Sequence, residues 1–215
     1  MASEIANEPL QKATFIVAIL GTALSILATV LRFIATKRAA RKLSWEDWFA
    51  VLATLFFIAY VVPLLWQLIF LNGRSLMKLP MVDLVKVIKA GYVSAAQYCL
   101  QQLFAKLSLL LLYYRIFSSS RVFVRWVYFL GTVQVIWSIA TYIIHYVECI
   151  PPQKIWTPTL PGPCIDNTAF LVGGETVNSL VDFALVGLAI WVVQSLQMKT
   201  SVKLKLAAIF AFGGL

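Results

Sequence analysis

Three groups of ionisable and amide side chains recur at helical spacing inside apolar runs of this sequence, and the first of them contains a lysine. Lys106 lies near the middle of residues 91–117, a stretch long enough to cross a hydrocarbon core of ~30 Å at ~1.5 Å per residue. A charge at that depth costs roughly 2.5–3.5 kcal/mol and therefore faces a protein or water-lined interior, with a partner there. Tyr98, Gln102 and Tyr113 fall on the same side as Lys106, with Gln101 near the edge, while Leu107, Leu110, Leu111 and Ile116 lie mostly elsewhere. Glu175, Asn178, Ser179 and Asp182 share an acidic arc of about 100° in a later apolar run. Gln134, Ser138, Thr141 and His145 share a third, narrow arc.

A lysine facing carboxylates in a membrane interior supports three kinds of chemistry. The polar faces can enclose a cavity for a small lipophilic molecule that is sensed or carried. Glu175, Asp182 and Lys106 can act on such a molecule as acid and base, for instance in a cyclisation or isomerisation. In the third reading the buried polar groups only hold helices together. Depth matches Lys106 with Asp182, at ~22 and ~18 Å from the outer ends of their helices. The sequence thus predicts a Lys106–Asp182 pair at the floor of a cavity, with Glu175, Asn178, Gln102 and His145 lining it towards the outside. His145 has two readings, an interfacial hydrogen-bonding group and a proton-transfer group.

Metal and nucleotide chemistry find no support. One histidine and three cysteines cannot build a zinc site without carboxylates, and HExxH, P-loop and GxGxxG patterns are absent from the sequence. No metal or cofactor is expected. The formal charge of +9 does not point to nucleic acid, because the basic residues sit between apolar runs rather than on one wet face.

The elements that must position these groups follow from composition. Hydrophobic residues make up 61% of the chain and charged residues 13%, proportions that suit a protein embedded in a lipid bilayer rather than a soluble domain. The expected fold is all-α, a polytopic transmembrane bundle of five complete spans plus a partial sixth. The spans fall at about 13–35, 48–71, 91–115, 126–147 and 169–197, with a stub at 204–215. Residues 1–12 form an external segment, and 13–215 form one transmembrane domain. Asp83, Lys86 and Lys89 alternate with Leu84, Val87 and Ile88 in a pattern that suits a short separate helix on the membrane surface, before the third span.

Orientation rests on charge. The short loops after spans one, three and five hold more than half of the 18 Lys and Arg residues, which places them in the cytosol and the N-terminus outside or in a lumen. Ser44-Trp45-Glu46-Asp47-Trp48 reads as a capped helix start at the headgroup level, with Ser44 as N-cap and the acids complementing the helix dipole. Tyr113, Tyr114 and Arg115 have two readings, a motif similar to those of receptor signalling and interfacial tyrosines with a snorkelling arginine. In this orientation Cys149 and Cys164 bracket an external, proline-rich loop in an oxidising compartment, and they are predicted to form a disulfide.

Several stretches resemble the fungal rhodopsin-domain family of integral membrane proteins. They are Arg32 with its basic loop and the Ser44–Trp48 motif; the run from Lys106 to Phe117; Cys149 with Pro151 and Trp156; Cys164 with Asp166; and Asn178 with Asp182, followed by the lysines that open helix six. The family includes Pth-type receptor-like proteins of plant-pathogenic fungi and membrane proteins of mycotoxin clusters such as that for satratoxin. The resemblance implies a rhodopsin-like domain of seven helices in full members. It also implies an accessory role in secondary-metabolite biosynthesis or receptor-like sensing of external or surface cues. By analogy with receptor folds, Cys99 is the competing disulfide partner. Retinal is not expected, because the single intramembrane lysine, Lys106, is better explained by an ion pair. The expected partners are the lipid bilayer and a small lipophilic ligand or substrate.

Overall fold

The computed structural model describes residues 2–71, 74, 76–118, 120–157 and 159–195. Five α-helices account for most of them: α1 (Ala2–Arg38), α2 (Trp45–Leu71), α3 (Met81–Phe117), α4 (Arg121–Val147) and α5 (Asn167–Ser195). Short 3-10 turns stand at Leu76–Lys78 and Pro152–Ile155. The described residues contain no strand beyond an isolated antiparallel bridge between Cys149 and Cys164. The proposed stub at 204–215 lies outside the described residues.

The helices run up and down, which gives the bundle one end rich in Lys and Arg and one end closed by the disulfide. At the basic end, Ala40 with φ 50° turns the chain out of α1. The Ser44 amide donates to Asp47 Oδ2 at 3.1 Å, so Asp47 reaches back to the residue before α2 as the acid of a capping box does. Ser120 Oγ accepts from the Phe123 amide at 3.4 Å and caps α4. At the disulfide end, Asp166 Oδ1 accepts from the Thr168 and Ala169 amides at 3.0 and 3.3 Å and opens α5 in the same way.

Among the described residues four helices are long and apolar enough to cross a membrane: Leu10–Arg38, Trp45–Leu71, Arg121–Val147 and Thr168–Trp191. Helix α3 is the exception, because Gln97, Gln101, Gln102 and Lys106 dilute its apolar residues. The surface helix expected before it is not separate. Residues 81–90 continue into α3 as one helix of 37 residues, since neither proline nor a turn interrupts the chain. Gly91 sits inside it, where an added Cβ would stand 3.4 Å from the Gln67 side-chain amide of α2.

Packing divides the bundle. Leu110, Tyr113 and Phe117 of α3 meet Phe123, Val127 and Leu130 of α4 and Val181, Leu185, Leu188 and Ala189 of α5 in one buried cluster towards the basic end. In lipid such contacts stabilise by dispersion and close fit, because the tails are as apolar as the side chains. Tyr113, read from sequence as part of the polar face of Lys106, belongs to this cluster and is 1% exposed. Helices α1 and α2 are joined by Thr29 and Thr54, whose hydroxyls are 2.7 Å apart. Helices α2 and α3 are joined by Phe56 stacked on Phe104 and by Tyr60 against Tyr98.

Candidate functional site

On the disulfide side of the apolar cluster, α3, α4 and α5 separate around a cavity of about 350 Å³. Parts of the three helical faces that periodicity singles out line it, whereas Lys106, Tyr113, Ser179 and Asp182 do not. Tyr98, Cys99 and Gln102 come from α3, Gln134, Ser138, Thr141 and His145 from α4, and Glu175 and Asn178 from α5.

Beyond Asn178, Lys106 Nζ lies 3.0 Å from Asp182 Oδ1 and donates to Asn178 Oδ1 at 2.5 Å and to the Asn178 carbonyl at 3.1 Å, and neither Lys106 nor Asp182 itself lines the cavity. An ammonium has three N–H donors, and three oxygens receive them here. The Lys106 side chain is 5% exposed and that of Asp182 35%. Lysine is tolerated at this depth because its charge is matched and its donors are used. Above this pair, Gln102 Nε2 donates to the Tyr98 hydroxyl at 3.2 Å, and that hydroxyl donates to Glu175 Oε2 at 3.4 Å. A chain of polar groups therefore links α3 to the carboxylate on α5.

Towards the mouth, His145 and Tyr92 hold each other reciprocally. His145 Nε2 lies 3.1 Å from the Tyr92 carbonyl, the Tyr92 hydroxyl donates to the His145 carbonyl at 3.1 Å, and the rings stack at 4.2 Å. Nδ1 of His145 is 3.9 Å from Glu148. Both ring nitrogens are thus directed at protein groups.

Cys149 and Cys164 form the expected disulfide, and Cys99 is the free cysteine. The analogy that offered Cys99 as a partner does not hold for this chain. Backbone bonds from Ile150 to Pro163 (3.1 Å) and from Ile165 to Glu148 (2.8 Å) clamp the neck of the loop. Gly162, at φ +154°, admits no side chain, since a Cβ there would meet the Ile150 carbonyl oxygen at 2.1 Å. The loop lays Ile155 against the cavity, with Trp156 edge-on to Tyr92.

A second polar cluster lies at the basic end, and sequence reasoning assigned its members differently. Arg32 of α1 pairs with Asp47 of α2 at 2.9 Å and donates to Ser108 Oγ of α3 at 2.9 Å. Ser108 donates to the Glu46 carbonyl at 2.8 Å, and Arg115 of α3 pairs with the Glu46 carboxylate at 2.5 Å. Glu46 and Asp47 are 4% and 2% exposed, so besides opening α2 they are held by groups of two other helices. Arg115 is turned to Glu46 rather than only reaching for the interface. Helix-dipole reasoning explains acids in a first turn but is blind to arginines arriving from two other helices.

Periodicity found the polar arc of α4 but did not make Gln134, Ser138 and Thr141 site residues. The apolar liners Ile88, Trp137 and Phe170 carry no signal that separates them from lipid-facing neighbours. Among the described residues no group of three or more His, Cys, Asp or Glu is placed to hold a metal.

The family model described as the fungal rhodopsin domain matches residues 11–215. The chain is 38% identical over 217 residues to the wortmanamides biosynthesis cluster protein C of Talaromyces wortmannii, covering 99% of this chain and 60% of that protein. It is 48% identical over 118 residues to the satratoxin biosynthesis SC1 cluster protein 4 of Stachybotrys chartarum, covering 54% and 44%. A SAT4 family membrane protein of Emericella nidulans is 31% identical over 147 residues, covering 66% and 38%. The chain thus spans 38% to 60% of the length of these curated relatives. No solved structure matches it.

Proposed function

This chain belongs to the fungal rhodopsin domain family, and on that premise we propose that its α3–α4–α5 cavity binds a small lipophilic molecule in the service of secondary-metabolite biosynthesis. The observation that carries the reading is the cavity itself: apolar walls with a few polar groups among them. Two of the relatives are named for biosynthesis clusters, which favours an accessory role in such a pathway over sensing.

Binding is favoured over catalysis by one detail. A lysine that acts as acid or base needs a donor free to reach substrate, and the three donors of Lys106 are directed at Asn178 and Asp182. Deleting the gene and profiling metabolites against the parent strain tests the role. A compound series lost on deletion and restored by the intact gene supports it. An unchanged profile with a lost response to an external stimulus replaces it with the sensor reading.

The same proposal takes α3 as a fifth span, with its polar face turned inward, and places the disulfide end outside the cell or in a lumen. In intact cells a tag after Met1 is then accessible from outside, and a cysteine replacing Arg38 is not. The opposite labelling pattern reverses the orientation.

A further inference from the structure

The charged groups around the cavity are of one sign. Glu175 and Glu148 line it, and among the described residues no lysine or arginine does. The nearby cations are committed elsewhere. Lys106 is matched by Asp182 below the Asn178 side chain, Lys89 lies over the Trp156 ring at 5.2 Å, and Lys154 donates to the Gly162 carbonyl. Glu148 has His145 within 3.9 Å. Glu175, by contrast, receives one hydroxyl, that of Tyr98, and its carboxylate has acceptor capacity for several hydrogen bonds.

A second observation, independent of the carboxylates, points to a ligand. Gln134 is 1% exposed and lines the cavity. Its Nε2 donates to Ser138 Oγ at 3.1 Å, but its Oε1 is buried without a hydrogen-bond partner. A buried amide oxygen left in this state is costly, and a donor from a bound molecule removes the cost.

We propose that the cavity selects a lipophilic molecule with a cationic amine, the amine meeting Glu175 and a second hydrogen-bond donor meeting Gln134 Oε1. This rests on the reading of the cavity as a ligand site and adds the charge of the ligand to it. The apolar walls hold the hydrocarbon part, while the two acceptors, one on α4 and one on α5, fix its polar head. A carboxylic acid or phosphate of the same size is rejected, because its charge would face Glu175 with no cation in the lining to answer it and with Lys106 already matched by Asp182.

Cys99 supplies the test, since it is a free thiol that lines the cavity. The protein in native membranes is treated with three methanethiosulfonates: one bearing trimethylammonium, one bearing sulfonate and one neutral. Modification is followed by mass mapping of the Cys99 peptide and normalised to the rates with free 2-mercaptoethanol. The thiol's own reactivity cancels in the ratio. The cationic reagent is expected to react about tenfold faster than the anionic one, through the local potential of the carboxylates. Glu175→Gln should remove most of that preference, and Glu175→Asp should keep it, which separates lost charge from lost folding. Equal rates, or a faster anion, overturn the cationic selection while the neutral reagent shows the cavity open. No reaction with any of the three overturns both the selection and the cavity as a ligand site.

Discussion

The bundle contains two charge clusters that join helices, and they differ in what surrounds them. At the basic end, Arg32, Asp47, Arg115 and Glu46 tie α1, α2 and α3 together, with Ser108 filling the gap between them. Their acids are almost fully buried, and none of these residues lines the cavity. Next to the cavity, Lys106 and Asp182 bridge α3 and α5, Asp182 is one-third exposed, and open space begins at Asn178. An ion pair that stands away from the cavity serves to hold helices. One that borders a cavity can also set what the cavity accepts.

The comparison breaks first at Asp47. Replacing it by leucine leaves the partly buried Arg32 without its carboxylate and should cost up to roughly 3–5 kcal/mol, the scale for a buried pair broken on one side. Folded yield after mild solubilisation is the measurement. Adding Arg32→Met to Asp47→Leu should recover most of the yield together with full biological activity, because this cluster has no task beyond packing. A double variant that folds and is inactive would give the basic end a function and erase the contrast.

A smaller effect sharpens the other side. Cys149→Ser with Cys164→Ser opens a loop of sequence separation 15 and should cost about 3 kcal/mol in the chain-entropy view of disulfides. The damage should stay local: proteolysis within 150–163 should rise, while the α1–α2–α3 end keeps its protection. Equal loosening at both ends would mean that the two regions are not independent.

Much of the cavity was legible in the sequence because periodicity reports which residues share a helical face. Spacing alone groups Gln102, Asn178, Glu175 and His145 on cavity-lining faces, and counting helical rise pairs Lys106 with Asp182. What spacing cannot report is the rotation of one helix against another. It therefore missed that Arg32 and Arg115 converge on Glu46 and Asp47, and it placed Tyr113 with the polar face although that residue turns into the apolar cluster. Continuity of residues 81–117 was also hidden, since a surface-helix pattern followed by a spanning pattern looks the same whether or not the backbone bends between them. The apolar walls were invisible for a simpler reason, because Trp137 and Phe170 look the same in sequence whether they face lipid or a cavity.

The central claim is that the Lys106–Asp182 pair serves what the cavity binds and does not merely join two helices. Lys106→Met alone leaves Asp182 without its counter-charge and should lower folded yield, by a loss of roughly 2.5–3.5 kcal/mol. Lys106→Met with Asp182→Leu removes both charges and should restore a folded, membrane-inserted protein with the Cys149–Cys164 bond intact. The decisive measurement is whether that double variant, introduced into the deletion strain at parental abundance, restores the metabolite profile. The double variant is expected to fold and not to restore it, whereas full restoration would show the pair to be only structural.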